Sequence, residues 1–476
     1  MTALHHLTAA ELSAAYAGGT LSPVDAAKAV LARIDAWEPK INAMYRLNPE
    51  AALASAKASE SRWRAGSALS PLDGVPVTIK ENLATKGDPA PIGTRANENL
   101  PPAAADCPPA ARVREAGCVI LGKTTMPDYG MLSSGLSSLH GITRNPWRLD
   151  RNTSGSSSGA GAAAAAGCGP LHLGTDIGGS VRLPAAHCGV FALKPSLGRI
   201  PTYPPYIGRV AGPMTRTVLD TAMLMNVATK PDARDFMSLP YHPFDYARAL
   251  ENIDASHAKG LRIGFLPDMN VGLAVHAEVR AAAQSAARAL EAAGAVVEEI
   301  PSFLTAAMLD GMCRFLEARL HNDCAALAPE RRAKLLPFVL EWCTWRAKDF
   351  SGRDVMAAYN TYVAMREATV SACEPYDYVL SPTSPILPYE AELPCPGNDP
   401  HNALPHIAFT VAYNMSEQPA ASLNWTASAD GLPNNDGGLP VGVQVIGHRF
   451  DDAGVLKLAR VLEQLRPKQR AWPEPV

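Results

Sequence analysis

The sequence predicts an α/β fold, and two observations support that prediction. Residues 261–301 have the pattern of a strand–helix–strand unit, in which LRIGFLP and AVVEEIP flank a long helical segment that stops at Gly294. Because a helix connects the two strands, we expect them to pair in parallel. The second observation is the size of the chain, whose 476 residues, 47% of them hydrophobic, suffice for a large buried core. We therefore expect one large α/β domain.

The first part of the chain, residues 1–70, is predicted to be a helical segment that packs on the core. TAAE, from Thr8 to Glu11, is a capping box, and the following helix has Ser22 as its N-cap and Pro23 at its first position. Residues 71–476 are assigned to the α/β domain itself.

That domain opens with short apolar strands that end in polar residues. VPVTIKEN alternates apolar side chains before Lys80, and CVILGKT and LHLGT are further strands. Between them, TSGSSSGAGAAAAAGCG is rich in small residues. Its alanines indicate a helix packed tightly on a neighbour, and a low-complexity linker is disfavoured because apolar sequence flanks the segment on both sides.

The second half of the chain also contains both helical and strand patterns. Residues 303–375 have mainly helical patterns. YDYVLSPTSPI (376–386) and GLPVGVQVIG (438–447) are predicted strands, and DAGVLKLARVLEQL is a final amphipathic helix.

Composition excludes several classes of function. The net charge is −3 and no basic run occurs, which disfavours nucleic-acid binding. The nine cysteines are dispersed and form no CxxC pair, as expected of buried thiols in a reducing compartment. No HExxH or Cys/His spacing indicates a metal site. The N-terminus lacks the pattern of a signal peptide, and no apolar window reaches a membrane-spanning length, so we expect a soluble, cytoplasmic protein with no membrane partner.

The segment TDIGGSVRLPA suggests chemistry. Two glycines directly before Ser180 allow successive backbone amides to turn to one side, which creates a site for an anion. Such a site fits the oxyanion of an acyl-transfer intermediate, with Ser180 as nucleophile. The amide donors would come from Ile177, Gly178, Gly179 and Ser180. A glycine-rich turn that only caps a helix remains the alternative.

A serine nucleophile needs a base. GSSSG (155–159) fits a nucleophile elbow with Ser157 at its centre, but an elbow follows a strand and the preceding TRNPWRLDRNT has a loop-like composition. Lys80 is the better base, because the end of an apolar strand is a desolvated place that lowers a lysine pKa. A salt bridge or a surface position is the alternative for this lysine.

Several segments together carry a resemblance to a known family. VPVTIKEN, HGITRNPW, SGSSSGAGAAAAAG, LGTDIGGSVRLPAAHCGVFALKPS and GLPVGVQVIG resemble the amidase signature family, in order and in spacing, from about residue 20 to 465. The resemblance implies one domain with a twisted, mixed central β-sheet covered by helices. It also implies hydrolysis of an amide bond without a cofactor.

The resemblance also implies a catalytic triad. Ser180 would be the nucleophile, Lys80 the base, and Ser156 the bridging serine, preceded by a cis peptide bond. Ser154 and Ser158 stand where the family pattern has glycines, so Ser157 competes with Ser156 for the bridging role. Thr175 and Asp176 are expected to orient the loop. Arg182 is expected to be structural, with a substrate carboxylate as its alternative partner.

The substrate is less well specified by the sequence. By the resemblance, YGMLSSGLSSLHG (129–141) and the helices within 303–375 should form the pocket wall. We expect Tyr129, Met131 and Ser133 there, with Trp425 as a further wall. Aromatic residues of the helical region (Phe315, Trp342 and Trp345) favour an apolar substrate, although core packing explains them equally well.

The most economical function is hydrolysis of a small, apolar, aryl or cyclic amide, since KPSLGRIPTYPPYIGRVAGPMTRTV resembles the cyclic-amide and aryl-amide hydrolases of the family more than its fatty-acid amidases. One alternative is the glutamine-hydrolysing component of a tRNA-dependent amidotransferase, which needs a partner subunit. A catalytically silent relative is the other, and the presence of all three triad residues disfavours it. A homodimer is compatible with the sequence.

Overall fold

The computed structural model describes residues 3–430 and 437–475. Within them, eleven strands form one sheet and four short strands form two small hairpins. The strands are β1 (Met44–Leu47), β2 (Pro76–Lys80), β3 (Val119–Thr124), β4 (Leu136–Ser137), β5 (Gly141–Ile142), β6 (Arg144–Asn145), β7 (Arg148–Asn152), β8 (Leu171–Asp176), β9 (Phe191–Lys194), β10 (Val210–Thr215), β11 (Arg262–Phe265), β12 (Val296–Glu299), β13 (Tyr378–Pro382), β14 (Ala420–Ala427) and β15 (Pro440–Ile446).

Fourteen α-helices are interspersed with these strands along the described chain. Within the described ranges, none of them is long and apolar enough to cross a bilayer. They are α1 (Ala9–Ala17), α2 (Pro23–Ile41), α3 (Pro49–Arg64), α4 (Pro108–Glu115), α5 (Ser158–Ala166), α6 (Arg182–Cys188), α7 (Val218–Ala228), α8 (Ala277–Ala292), α9 (Ala306–Ala325), α10 (Pro329–Arg332), α11 (Pro337–Thr344), α12 (Gly352–Cys373), α13 (Ala408–Met415) and α14 (Asp452–Leu465).

The main sheet is mixed, which confirms the α/β prediction. Its order is β1-β3-β2-β8-β10-β9-β14-β15-β13-β11-β12. The strands β3, β2 and β8 are parallel to one another, and so are β13, β11 and β12, while antiparallel pairs join the two blocks. The predicted strand–helix–strand unit is β11, α8 and β12, with parallel pairing as expected.

The N-terminal segment contains the predicted helices and one strand that the sequence patterns did not indicate. The capping box at Thr8 and the N-cap at Ser22 are both present. However, β1 pairs antiparallel with β3 at the edge of the sheet, so residues 1–70 are not purely helical. This strand is four residues long, too short for alternation to be visible, and its pairing depends on β3, which follows about 70 residues later.

The small-residue helix α5 is buried along its whole length, as the alanine-rich composition predicted. Its alanines pack against Val30, Ile34 and Trp37 of α2. Gly159 approaches the backbone so closely that a Cβ there would lie 2.3 Å from the carbonyl oxygen of Ala43. The tight packing holds the N-terminal end of α5, where the serines lie, against the end of the sheet.

The helical region beyond residue 303 is confirmed as helical. Helices α9, α11 and α12 share a hydrophobic cluster with α13. All nine cysteines are free, and all are buried except Cys313, which is half-buried. Thiols in this setting act as small apolar side chains.

Candidate active site

Two parallel strands bring the base and the serine loop together. β2 ends at Lys80 and β8 ends at Asp176, and the two strands pair with Ile79 opposite Leu173. The carboxyl ends of parallel strands meet at one edge of a sheet, and this is where ligands bind in open α/β sheets. Residues 156 and 157, just before α5, reach the same edge.

The Lys80 ammonium is surrounded by hydroxyl groups. Its Nζ donates to Ser156 Oγ at 2.8 Å, to Ser157 Oγ at 3.0 Å and to Thr175 Oγ1 at 3.1 Å. Thr175 Oγ1 also accepts a hydrogen bond from the Asn82 side chain at 3.0 Å. The sequence analysis named Ser156, Ser157 and Thr175 as site residues in different roles, and it did not name Asn82.

Lys80 is fully buried, and no carboxylate lies within 4 Å of its ammonium in the described part of the chain. Burial lowers the pKa of Lys80 well below its ordinary value of 10.5, and the positive charge of Arg209 lowers it further, against the opposing charges of Asp176 and Glu81. A lysine in these surroundings can lose its proton and act as a base.

The two serines that compete for the bridging role have different surroundings. Ser156 lines a cleft together with Ser180, and the peptide bond before Ser156 is cis. Ser157 is turned inward instead: its Oγ donates to the carbonyl oxygen of Thr175 at 3.2 Å, and its backbone amide donates to the carbonyl oxygen of Ser180 at 3.1 Å. Ser154 adopts φ 58°, which explains why glycine suits this position.

The loop after β8 is held by the Asp176 carboxylate. Its oxygens accept hydrogen bonds from the backbone amides of Gly179, at 2.8 Å, and Val181, at 3.1 Å. The Gly179 amide is therefore occupied, and its predicted place among the free oxyanion donors is wrong. Gly179 has φ 130°, and a Cβ there would lie 2.4 Å from Thr410 Oγ1, so glycine is needed for backbone conformation and close packing.

The other predicted donors in this loop remain available. The amides of Ile177, Gly178 and Ser180 have no hydrogen-bond acceptor in the described ranges. Ile177 and Ser180 line the cleft. The three amides belong to the loop that directly follows β8.

The contacts of Arg182 fit a structural role, which is the role expected from the sequence. Its side chain is 0% exposed and forms a bidentate ion pair with Asp176, with both distances 3.0 Å. Its remaining donors reach the Thr410 carbonyl and the side chains of Gln444 and Asn414. Burial alone raises the pKa of Asp176, but the ion pair with Arg182 and the hydrogen bonds lower it below its ordinary value. Arg182 has no donor left for a substrate.

Ser156 and Ser180 line a cleft of about 440 Å³. One wall comes from the loop before β4 and includes Tyr129 and Met131, as predicted. Another comes from the C-terminal end of α9. The cleft is lined by Asn82, Ile92, Met126, Tyr129, Gly130, Met131, Ser156, Thr175, Asp176, Ile177, Ser180, Pro204, Arg209, Arg319, Asp323 and Ala326.

Two predicted wall residues lie elsewhere. Trp425 is on β14, 1% exposed, and packs in the hydrophobic core around the sheet and α14. Ser133 is buried behind the cleft, and its carbonyl accepts a hydrogen bond from the hydroxyl of Tyr389 at 2.5 Å. The assignment of both to the wall is wrong, because sequence proximity to a pocket segment does not fix the direction of a side chain.

The three aromatic residues named from the helical region do not line the cleft. Trp342 is buried in the cluster of α9, α11 and α12, and Phe315 packs against Tyr362 with ring centroids 5.0 Å apart. Core packing, the alternative interpretation, accounts for these two. Trp345 is half-buried and stacks on His401 instead.

Charged residues of the cleft were missed. Arg209 precedes β10, while Arg319 and Asp323 lie one turn apart on α9. Burial lowers the pKa of Arg209 to about 10, and burial raises the pKa of Asp323. Arg209 directly precedes β10, which pairs antiparallel with β8 and places Val210 opposite Asp176. Recognition of β10 as a strand next to β8 would therefore have indicated Arg209. The strand was not recognised because it contains Pro213.

One cluster of possible metal ligands occurs outside the cleft. Atoms of His5, His6 and Glu474 lie within 4.8 Å of one another in the described ranges. The Glu474 carboxylate already bonds to His6 and to the guanidinium of Arg33. Within the described ranges, the cleft contains no set of three or more histidine, cysteine or carboxylate side chains arranged to hold a metal ion.

Comparison with known proteins identifies the family and the fold. The Amidase family profile matches residues 25–456. The glutamyl-tRNA(Gln) amidotransferase A chain of Chloroflexus aggregans is 34% identical, over 98% of this chain and 97% of its own. Among solved structures, a bacterial aryl acylamidase of the amidase signature family superposes with a TM-score of 0.87 at 28% identity, covering 97% of this chain and 96% of that one. A 6-aminohexanoate cyclic dimer hydrolase gives 0.84 at 29%, covering 98% of each chain.

The mixed-sheet fold, with a serine loop and a buried lysine at one strand edge, is that of a class of amide hydrolases. The chain belongs to the amidase signature family. It is therefore an amide hydrolase, which cleaves carbon–nitrogen bonds.

Proposed function

We propose that this chain is a free-standing amidase that forms a seryl acyl-enzyme on Ser180. The observation that carries the proposal is the 2.8 Å contact between Lys80 Nζ and Ser156 Oγ, at a buried site where the described residues offer no carboxylate partner for the ammonium. A lysine paired with Asp or Glu would stay protonated. A lysine among hydroxyls is suited to proton transfer.

The reaction begins with neutral Lys80. The Ser156 hydroxyl donates its proton to Nζ and accepts the proton of Ser180, whose Oγ attacks the amide carbonyl carbon. The new C–O bond makes a tetrahedral oxyanion. Proton transfer through Ser156 to the leaving nitrogen breaks the C–N bond and releases the amine. Water then attacks the acyl-enzyme by the same relay, which releases the acid and restores Ser180.

The free amides of the serine loop stabilise the oxyanion. Ile177, Gly178 and Ser180 offer donors that need not reorganise, since Asp176 and Arg182 hold the loop from behind. Removal of one such donor costs roughly 100- to 1000-fold in kcat in other acyl-transfer enzymes. Thr175 and Asn82 orient the Lys80 ammonium by their hydrogen bonds.

We infer a small aryl or cyclic amide as the substrate. Ile92, Met126, Met131 and Ile177 give the cleft an apolar wall, which suits a ring or a short hydrocarbon segment. The likeness to an aryl acylamidase and to a cyclic dimer hydrolase supports the same class.

A second candidate is hydrolysis of glutamine within a tRNA-dependent amidotransferase. It is favoured by the 34% identity to the amidotransferase A chain over nearly the full length of both proteins. In that case the ammonia would pass to a partner protein, and the isolated chain would have little activity on other amides.

The test is release of amine or ammonia by the purified chain. Acetanilide, a cyclic bis-amide, a short aliphatic amide and glutamine are incubated with the wild type, with Ser180→Ala and with Ser67→Ala, a change at an exposed serine away from the cleft. We expect turnover of an aryl or cyclic amide that Ser180→Ala abolishes and Ser67→Ala retains. Turnover of glutamine alone would support the second candidate, and no turnover of any amide by the folded chain would contradict the first.

A further inference from the structure

The cleft contains an arginine without an ion partner. Arg209 lines it beside Ser180, and its Nη1 donates to the carbonyl oxygen of Pro204 at 3.3 Å. No carboxylate lies within 4 Å of its guanidinium in the described ranges. A guanidinium has five N–H donors, so most of its donors have no hydrogen-bond partner among the described residues.

A second arginine lies in the same cleft. Arg319 of α9 has its guanidinium carbon 4.3 Å from the ring centroid of Tyr206, and it too has no ion pair among the residues described. Arg314, on the same helix, is different, because its Nε bonds to Asp310 at 2.7 Å. The helix therefore pairs one arginine with a carboxylate and leaves the other facing the cleft.

The two guanidinium groups are close enough to repel each other. Burial lowers the pKa of Arg209, and the charge of Arg319 adds to that effect. Two like charges at one partly buried site are unfavourable unless an anion joins them. A substrate anion would remove this repulsion on binding.

The carboxylates nearby do not balance these charges. Asp176 is fully engaged by Arg182 and by backbone amides. Asp323 lines the cleft one turn after Arg319 but, within the described part of the chain, forms no ion pair with it closer than 4 Å. Two guanidinium groups thus face one carboxyl group, and the cleft attracts anions.

We propose that Arg209 and Arg319 form a subsite for a carboxylate on the substrate, so that the enzyme acts on amides of small organic acids. This inference rests on the proposed amidase function and adds the substrate class. The apolar wall would hold the hydrocarbon or ring, and the planar guanidinium groups match the two oxygens of a carboxylate. In this arrangement the serine loop contributes the chemistry, and the arginine pair selects the substrate.

Binding to a chain that is unable to react tests the subsite directly. In a Ser180→Ala background, calorimetry compares two matched pairs of ligands: 4-acetamidobenzoate with acetanilide, and N-phenylglutaramate with pentananilide. The first pair places the carboxylate on the amine side of the amide bond and the second on the acyl side. We expect the acid of at least one pair to bind about tenfold or more tightly than its neutral counterpart, as charge-assisted hydrogen bonds imply.

Substitutions then assign the preference to the arginines. Arg319→Gln and Arg209→Gln are each expected to reduce the acid-to-neutral ratio of affinities by about tenfold. Arg314→Gln, on the other side of α9 and paired with Asp310, is the control and should leave the ratio unchanged. Arg319 is half-exposed, so its variant reports on the subsite even if Arg209 proves necessary for folding.

Equal binding of acid and neutral ligands in both pairs would overturn the subsite, and so would a preference that survives both arginine substitutions. Turnover by the Ser180-containing chain is measured in parallel on the same ligands. Binding that depends on the arginines without any turnover would count against the amidase proposal alone, whereas turnover without arginine-dependent preference would count against the subsite alone.

Discussion

The ammonium of Lys80 lies 2.8 Å from Ser156 Oγ, and the other groups that it contacts are hydroxyls as well. Two other buried lysines show how unusual this is. Lys123, at the end of β3, donates to the carbonyl of Leu83 and to Thr85, and Lys194 donates to the carbonyl of Pro195. Of these three buried lysines, only Lys80 contacts Ser156, a serine that lines the cleft.

Replacement of the base should abolish turnover without unfolding the chain. Lys80→Met removes the proton acceptor and should lower kcat by roughly 100- to 10,000-fold. Lys80→Arg keeps a positive charge of similar reach but stays protonated, so it should be equally inactive. Steady-state kinetics with circular dichroism as a folding check measures both. An active Lys80→Arg enzyme would show that the group acts as a cation and not as a base.

In the proposed mechanism the neutral form of Lys80 is the active one, so the pH profile should rise with pH. Burial and the charge of Arg209 lower its pKa, so the acid limb of kcat/KM should lie well below 10.5. Arg209→Gln removes a positive charge and should move this limb to higher pH, measured over about pH 5–10 on a neutral amide. Arg314→Gln, remote from Lys80, should leave it in place. If the acid limb lies at the same pH in Arg209→Gln as in the wild type, the charge of Arg209 does not lower the pKa of Lys80.

The two serines that contact Lys80 should differ in their effect on rate. Ser156 lines the cleft and is expected to relay the proton, so Ser156→Ala should lower kcat by roughly 100- to 10,000-fold. Ser157 bonds to the backbone of Thr175 and only helps to position Lys80, so Ser157→Ala should cost about tenfold. Single-turnover kinetics on an anilide separates the two. The reverse order would assign the relay to Ser157.

The Arg182–Asp176 pair should contribute mainly to stability. Arg182→Met leaves the Asp176 carboxylate buried without its partner, and a loss of roughly 3–5 kcal/mol in the free energy of unfolding is expected. Arg314→Met breaks an exposed pair and should cost at most about 1 kcal/mol. Urea unfolding at neutral pH compares them. Equal losses would mean that burial of the pair has no consequence.

Acid should destabilise the fold through buried histidines. Burial lowers the pKa of His172, His187 and His406 to about 3, against 6.5 when exposed. The unfolded chain therefore binds more protons between pH 6.5 and 3, so stability falls as pH drops, by roughly 2.5 kcal/mol per histidine between pH 7 and pH 4.5. His406→Leu removes one of these groups, and neither ring nitrogen of His406 has a hydrogen-bond partner among the described residues. Urea unfolding at pH 7 and pH 4.5 should show a smaller loss for His406→Leu than for the wild type.

A second histidine substitution is the control for the comparison of His406→Leu with the wild type. His401→Gln changes an exposed histidine and should leave the loss between pH 7 and pH 4.5 as it is in the wild type. If His406→Leu and His401→Gln behave alike, the acid sensitivity has another origin.

The predictions from sequence succeeded where residues near in the chain decide the structure. The capping box at Thr8, the N-cap at Ser22 and the final helix depend on residues a few positions apart. They failed where strands pair over long distances: β1 joins β3, and β10, despite its central proline, joins β8. A strand with one short apolar run carries no mark of its distant partner.

By itself the sequence determined the family and the α/β class, and it named Lys80, Ser156 and Ser180 as candidate catalytic residues, because they stand in motifs whose order and spacing are specific. Only the tertiary structure decided what surrounds them. It turned Trp425 and Ser133 away from the cleft, occupied the Gly179 amide with Asp176, and brought Arg209 and Arg319 to one cleft from segments about 110 residues apart. The physical reason is that motifs fix chemistry along the chain, whereas walls, charge balance and donor availability depend on packing between distant elements.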